Sequence, residues 1–242
     1  LLIISSCQQE ASYEPVTSLN SLDSLAQSDI RIDSLIQPYK SQLDLAMNQV
    51  IGYAPKTLKN HISKGETTLG NFVSDLMLTQ SRKLSNDSVD LALINTHGGL
   101  RVPIFEGEIK VRDIYELMPF DNEILILELT GKDVLKVFDH TAKDCKNSIA
   151  PSTFEIEKEL AYNISITGLP VVLDKTYNVA ISDYLANGGG GFDFLMSAKR
   201  KPLGIKLRDM IITHIEELTE EEKPITSKLS NRIIFKDNVN VQ

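Results

Sequence analysis

Within one short turn the segment Asn95-Thr96-His97-Gly98-Gly99-Leu100-Arg101 gathers a side-chain amide, two residues without a Cβ and a guanidinium. Glycines let a ligand approach the main chain closely and tolerate positive φ. Arginine presents a planar donor fork that matches the oxygens of a phosphate or carboxylate. The combination is a candidate anion site, and the same residues also suit a tight turn carrying an exposed arginine. Nothing comparable is present for covalent chemistry, since the chain has neither a G-x-S-x-G elbow nor a plausible Cys–His pair. No catalytic residue is assigned.

Such a loop needs a buried strand to end at it and other elements to bring partners alongside. The aliphatic-rich run Val89–Ile94 reads as a strand covered on both faces. Before it, Ile36, Tyr39, Leu43 and Met47 recur at helical spacing from Ser34 and mark a helix that ends before Gly52. A second helix follows "SKGETTLG", capped by Thr67 or Thr68, with Leu69, Phe72, Val73, Leu76 and Met77 on one face. After the loop come a short helix at "VRDIYELM", a strand at "EILILEL" and a third amphipathic helix capped by Thr130. Strands are expected at "STFEIE", "LAYNISI", "YNVAIS" and "RIIFK", with a glycine-rich loop "ANGGGGFDFL" and a helix around Ile205 to Leu218 in between. Helices and strands alternate without a strict βαβ rhythm, which predicts an α+β fold, a mixed sheet with flanking helices.

The totals are those of an ordinary globular chain. It has 242 residues, 42% of them hydrophobic, with 25 basic against 33 acidic side chains and a net charge of −8. That sign repels a polyphosphate backbone, so no nucleic acid polymer is expected as partner, whereas a small anion can still bind a local positive group. The opening "LLIISSCQQE" resembles the lipobox of bacterial lipoproteins, with Cys7 as the lipidated residue. A lipid anchor would place the protein at the cell envelope, periplasmic or on the cell surface. Residues 1–33 are then a signal remnant and polar spacer, and 34–242 the folded domain. The only other cysteine is Cys145, so a disulfide framework and a cysteine metal site are not expected.

The stretch "GGLRVPIFEGEIKVRDIYELMPFDNEILILELTGKDV" resembles the C-terminal domain of the 5'-nucleotidase family. In order along the chain, "LGNFVSDLML", "NTHGGLR", "GEI", "MPFDN", "LTG" and "SDYLANGGGGF" follow the family pattern over roughly Ser34 to Lys236. The resemblance implies a domain that binds the nucleotide rather than one that performs the chemistry. By position, Phe120 and Tyr184 become two rings that sandwich the base. Asn122 meets the base edge, and Asn95, Gly98, Gly99 and Arg101 form the phosphate-side loop. The glycine loop includes Gly189 and Gly190. From residue type alone, Phe120 and Tyr184 read as core or wall.

Two departures stand out. Gly190 occupies the position where the family carries an aspartate for the ribose hydroxyls, with Asp183 or Asp193 as nearby substitutes. A family arginine before the second helix falls near Ser63 and Lys64. The family's two-metal phosphatase domain has D-x-H, G-N-H-[DE] and H-x-H motifs. None of His61, His97, His140 and His214 stands in such a context, and His214 with Glu217 reads as a solvent-side pair. No cofactor or metal is therefore expected in this chain; divalent metals are expected in a separately encoded metallophosphatase partner. The expected function is the substrate-binding half of a split 5'-nucleotidase. The alternative is a lipid-anchored nucleotide- or nucleoside-binding protein without catalysis.

Overall fold

The computed structural model describes residues 29–60 and 65–236. The lipidation reading of Cys7, most of the polar spacer, His61 and Lys64 lie outside these residues. Helix α1 (Ile30–Met47) begins earlier than the expected Ser34. Asp29 opens it by accepting the backbone N–H of Arg31 at 2.9 Å, the bond that an N-cap side chain supplies. Its periodic residues Ile36, Tyr39 and Leu43 are exposed, and no residue of the helix is buried. The larger of two compact units runs from Asp44 onward.

That unit starts with strand β1 (Val50–Ala54), followed by helix α2 (Thr68–Leu84), strands β2 (Leu91–Asn95) and β3 (Gly107–Lys110), and helix α3 (Val111–Leu117). Next come β4 (Glu123–Thr130), helix α4 (Gly131–Asp144), β5 (Asn147–Ala150), β6 (Ser152–Glu157), β7 (Leu160–Ile166), β8 (Leu169–Pro170) and β9 (Thr176–Ser182). The chain closes with the single turn α5 (Asp183–Ala186), β10 (Lys199–Lys206), α6 (Leu207–Glu220) and β11 (Ile233–Phe235). The expected caps are present: Thr67 accepts the N–H of Gly70 at 2.8 Å to start α2, and Thr130 accepts that of Asp133 at 3.3 Å to start α4.

The central sheet runs β10-β4-β9-β2-β5, with β2 and β9 parallel and the other pairs antiparallel. Its inner strands send alternate residues to two cores, the period-2 rule for a sheet covered on both sides. Ala92, Ile94, Ile124, Ile126 and Ala180 face a core completed by α2 and α6 through Leu69, Phe72, Leu76, Met210 and Ile211. Leu91, Leu93, Leu125, Leu127, Val179 and Ile181 face the other, which α4 and β6 fill with Val134, Phe138, Phe154 and Ile156. Full burial of each leucine, isoleucine, valine, methionine or phenylalanine here is worth about 1.5–3 kcal/mol, which anchors the three inner strands. A second sheet, β11-β6-β7-β8, and the pair β1-β3 complete the architecture, a mixed α+β fold as expected.

Candidate functional site

Pairing register places the loops that matter at one end of the central sheet. Leu93 of β2 lies beside Ile181 of β9 in parallel, and Ser182 of β9 opposes Ile124 of β4 in antiparallel. The carboxyl ends of β2 and β9 therefore coincide with the start of β4. Asn95 closes β2, Tyr184 follows β9, and Phe120 and Asn122 precede β4. Ligand sites of open α/β sheets favour this position, outside the carboxyl ends of parallel strands.

A cavity of about 300 Å³ opens there, lined by Asn95, His97, Gly98, Gly99, Arg101, Phe120, Asn122 and Tyr184. Asn95, Gly98, Gly99, Arg101, Phe120, Asn122 and Tyr184, all named from the sequence, meet on its wall. Gly189 and Gly190 are not wall residues; they stand behind it. A Cβ on Gly189 would fall 2.5 Å from the Tyr184 ring, so only glycine lets that ring lie against the loop. Gly99 serves the turn rather than a ligand, because a Cβ there would sit 2.2 Å from the carbonyl oxygen of Asn95. His97 belongs to the wall and was not singled out from the sequence, although it lies inside the same motif.

Each wall is fixed from outside the cavity. Asn60 donates its amide to the carbonyls of Thr96 and Leu100 at 3.0 and 2.6 Å, and Thr96 bonds the carbonyl of Lys146 through its N–H and hydroxyl at 2.8 and 2.9 Å. The Phe120 loop is held by Arg208 at the start of α6, whose side chain bonds the carbonyls of Met118 and Phe120 and reaches Asp121 at 2.6 Å. Only 8% of Arg208 is exposed, and its guanidinium stacks on Tyr115 at 4.2 Å. Hydrogen bonds from Arg208 first, then Lys206, hold the Asp121 carboxyl below its ordinary range. At the end of β9, Ser182 caps α5 and Tyr184 is 49% exposed. The loop behind it is tied by His140, whose Nε2 lies 2.8 Å from the carbonyl oxygen of Gly190. A carbonyl only accepts, so Nε2 carries the proton. Neither Arg208 nor His140 was legible as a site residue.

The groups left facing the cavity define what it can do. Arg101 is exposed, with its guanidinium 5.2 Å from the centre of the Phe120 ring. A wider groove adjoins it, sharing His97, Gly98 and Arg101 and adding Lys59 as a second cation. The amide oxygen of Asn95 is buried without a hydrogen-bond partner. An unmet acceptor of this kind costs about 1–3 kcal/mol. The site thus offers flat apolar surfaces, amides and positive charge.

Neither proposed substitute for the ribose aspartate reaches the wall. Asp183 accepts the N–H of Tyr184 at 2.7 Å, and Asp193 lies against Gly188. The solvent-side reading of His214 is corrected: the ring is largely covered, packs on Phe72 at 6.0 Å, and lies 3.0 Å from the amide nitrogen of Gln80, while Glu217 pairs with Lys83 at 2.7 Å. Burial pushes the His214 pKa down. Among the described residues, no group of three or more His, Cys, Asp or Glu side chains is placed to hold a metal ion. No helix among them is long and apolar enough to cross a membrane.

A mixed sheet with a cavity at its strand ends, walled by rings, amides and an arginine, defines a small-molecule-binding domain. The family described as 5'-nucleotidase, C-terminal domain, matches residues 50–197, and the chain belongs to that family. Among known proteins it is 24% identical over 243 residues to the 5'-nucleotidase of Rattus norvegicus, covering 88% of this chain and 42% of that protein. It is 26% identical over 235 residues to the cell wall protein Lmo0130 of Listeria monocytogenes, covering 87% of this chain and 30% of the relative. The crystal structure of a 5'-nucleotidase precursor from Thermus thermophilus superposes with a TM-score of 0.73 at 24% identity, over 87% of this chain and 44% of that one. The chain therefore spans less than half the length of each of these relatives.

Proposed function

We propose that this chain is the nucleotide-binding half of a split 5'-nucleotidase, working with a separately encoded metallophosphatase. The observation that carries the reading is the meeting of Phe120, Tyr184, Arg101 and the amides of Asn95 and Asn122 on one cavity. In this reading the base stacks between the two rings, a contact worth about 1–3 kcal/mol per ring and tolerant of base identity. Asn122 bonds the base edge, and Asn95 lines the same cavity. Arg101, with Lys59 in the adjoining groove, draws the phosphate end. Divalent ions held by the partner would polarise the phosphoryl oxygens and activate water. This chain's residues bind and orient the substrate.

The location belongs to the proposal as well. A relative named as a cell wall protein and the lipobox-like start ending at Cys7 support a position outside the cytoplasm, with a lipid on Cys7 as the anchor.

The test is a phosphate-release assay on AMP with the chain, the candidate phosphatase subunit, and both together. The reading expects turnover only in the mixture, and its loss with Phe120→Ala or Tyr184→Ala. Turnover by this chain alone would contradict it. Binding without turnover in the mixture would make the protein a carrier instead.

A further inference from the structure

Phe120 and Asn122 stand on the stretch Met118-Pro119-Phe120-Asp121-Asn122, which joins the end of α3 at Leu117 to the start of β4 at Glu123 and belongs to neither. Its ties come from the first residues of α6. The N–H of Leu207 donates to the carbonyl of Asn122 at 2.9 Å. The Arg208 guanidinium donates to the carbonyls of Met118 and Phe120, at 3.4 Å each, and to the Asp121 carboxylate at 2.6 Å. One planar fork thus grips the chain on both sides of Pro119, with the Tyr115 ring of α3 stacked on it at 4.2 Å.

Stability alone does not account for an arginine here. Only 8% of it is exposed, its Nε is buried without a hydrogen-bond partner, and the side chain of Asp121, which answers its charge, is 67% exposed. Desolvating a cation is unfavourable, and an apolar side chain of similar volume is often as stabilising in such a place or more so. What the fork supplies instead is direction: several donors at fixed angles, which neither an apolar chain nor the point charge of a lysine reproduces. Arg208 does not line the cavity, so it offers those directions to the loop and not to a ligand.

We infer that Arg208 is a positioning residue for the wall that carries Phe120: it sets where that ring and Asn122 stand, and Asp121 serves as its counter-ion. The inference rests on the nucleotide reading above and adds to it a residue that acts through the ring. The loop of Arg101 has separate ties through Asn60 and Thr96, so the phosphate side keeps its shape when Arg208 is changed.

The experiment is a double-mutant cycle read by AMP titration, with a urea melt of each chain. Its members are the natural chain, Arg208→Lys, Phe120→Leu and the two changes together. Lysine keeps the charge and loses the fork, and leucine keeps the apolar volume and loses the flat ring. Arg208→Lys should weaken AMP roughly tenfold in the natural chain. With Phe120→Leu already present it should weaken AMP no further than about twofold, the part carried by Asn122, because a residue that acts through the ring has nothing left to position. Equal losses in the two backgrounds would mark a general structural effect and overturn the inference, as would unchanged affinity in Arg208→Lys. Should Arg208→Lys not fold, Asp121→Asn at the exposed end of the pair replaces it in the cycle. That change should weaken AMP roughly threefold in the natural chain and not detectably beside Phe120→Leu, and no loss in the natural chain overturns the inference. Failure of the natural chain to bind AMP removes the nucleotide reading and this inference with it.

Discussion

Around Glu66 the protein answers its own polar groups, whereas at the end of the central sheet it leaves them turned toward open space. The Glu66 carboxylate accepts from the Asn71 amide and from the backbone N–H groups of Ser230 at 2.6 Å and Arg232 at 2.9 Å, and Arg232 reaches Asp75 at 2.6 Å. One acceptor is left over, the Asn71 amide oxygen, beside a void of about 10 Å³ that suits one water and nothing larger. Asn95, whose amide oxygen is also buried and unmet, lines a cavity of about 300 Å³ that an arginine and two rings line as well. An orphaned acceptor therefore points to a ligand only where there is room for one and where other groups converge.

If that contrast is sound, substitutions at the two places should separate affinity from stability. The largest effect is expected at the rings: Phe120→Ala or Tyr184→Ala should weaken AMP binding by up to about 3 kcal/mol in a titration, with little change in the melting temperature for the half-exposed Tyr184 and some lowering for Phe120, which also packs against the core. Next in size, Glu66→Ala should lower unfolding stability by about 2 kcal/mol in urea melts and leave AMP affinity within a factor of about two. Equal losses of affinity and stability at either place would erase the distinction.

The Glu66 cluster also carries a pH signature. Burial opposes its ionisation, but hydrogen bonds from Ser230, Asn71 and Arg232 outweigh that and hold the carboxyl below its ordinary value. The folded form thus binds its proton more weakly than the unfolded chain. The stabilisation is fully present above the ordinary glutamate range and is lost as the pH falls through the depressed folded value. Urea melts of Glu66→Gln should show a smaller acid-side loss than the natural chain.

Smaller effects refine the site itself. Arg101→Ala should weaken AMP roughly tenfold and adenosine much less, with Arg101→Lys in between, because a point charge replaces the fork. His140→Ala should cost about 1 kcal/mol of AMP affinity through the loosened glycine loop, and His140→Gln, which can still donate to the Gly190 carbonyl, should restore part of it. A His140→Ala chain that binds as tightly as the natural one would show that the loop needs no such tie.

How far the sequence reaches depends on how local the determining contacts are. Helices α2 and α4 were legible because cap and apolar face lie within a few residues, and β2 because its run is aliphatic on both faces. Strand β10 was not: Lys199, Arg200, Lys201, Pro202 and Gly204 disguise it, and as an edge strand it pairs only with β4 and needs no apolar alternation. Strand β1 was hidden by Gly52 and by its short length. The cavity's principal groups were found through the family pattern of motifs, since residue type alone reads Phe120 and Tyr184 as packing. Arg208 and His140 escaped both approaches. The first looks like a solvated helix residue until Met118, Phe120 and Asp121 are brought to it, and the second until the fold carries Gly190 across to it. Helix α1 shows the converse, periodic apolar residues with no buried face to account for them.

The central claim is that Phe120 and Tyr184 hold a planar base with its phosphate toward Arg101. A crystal structure of this chain with AMP tests it most directly. The account predicts the adenine ring stacked between the two side chains and the phosphate within hydrogen-bonding reach of the Arg101 guanidinium. Adenine bound elsewhere, or the two rings closed on each other with no base between them, would contradict it.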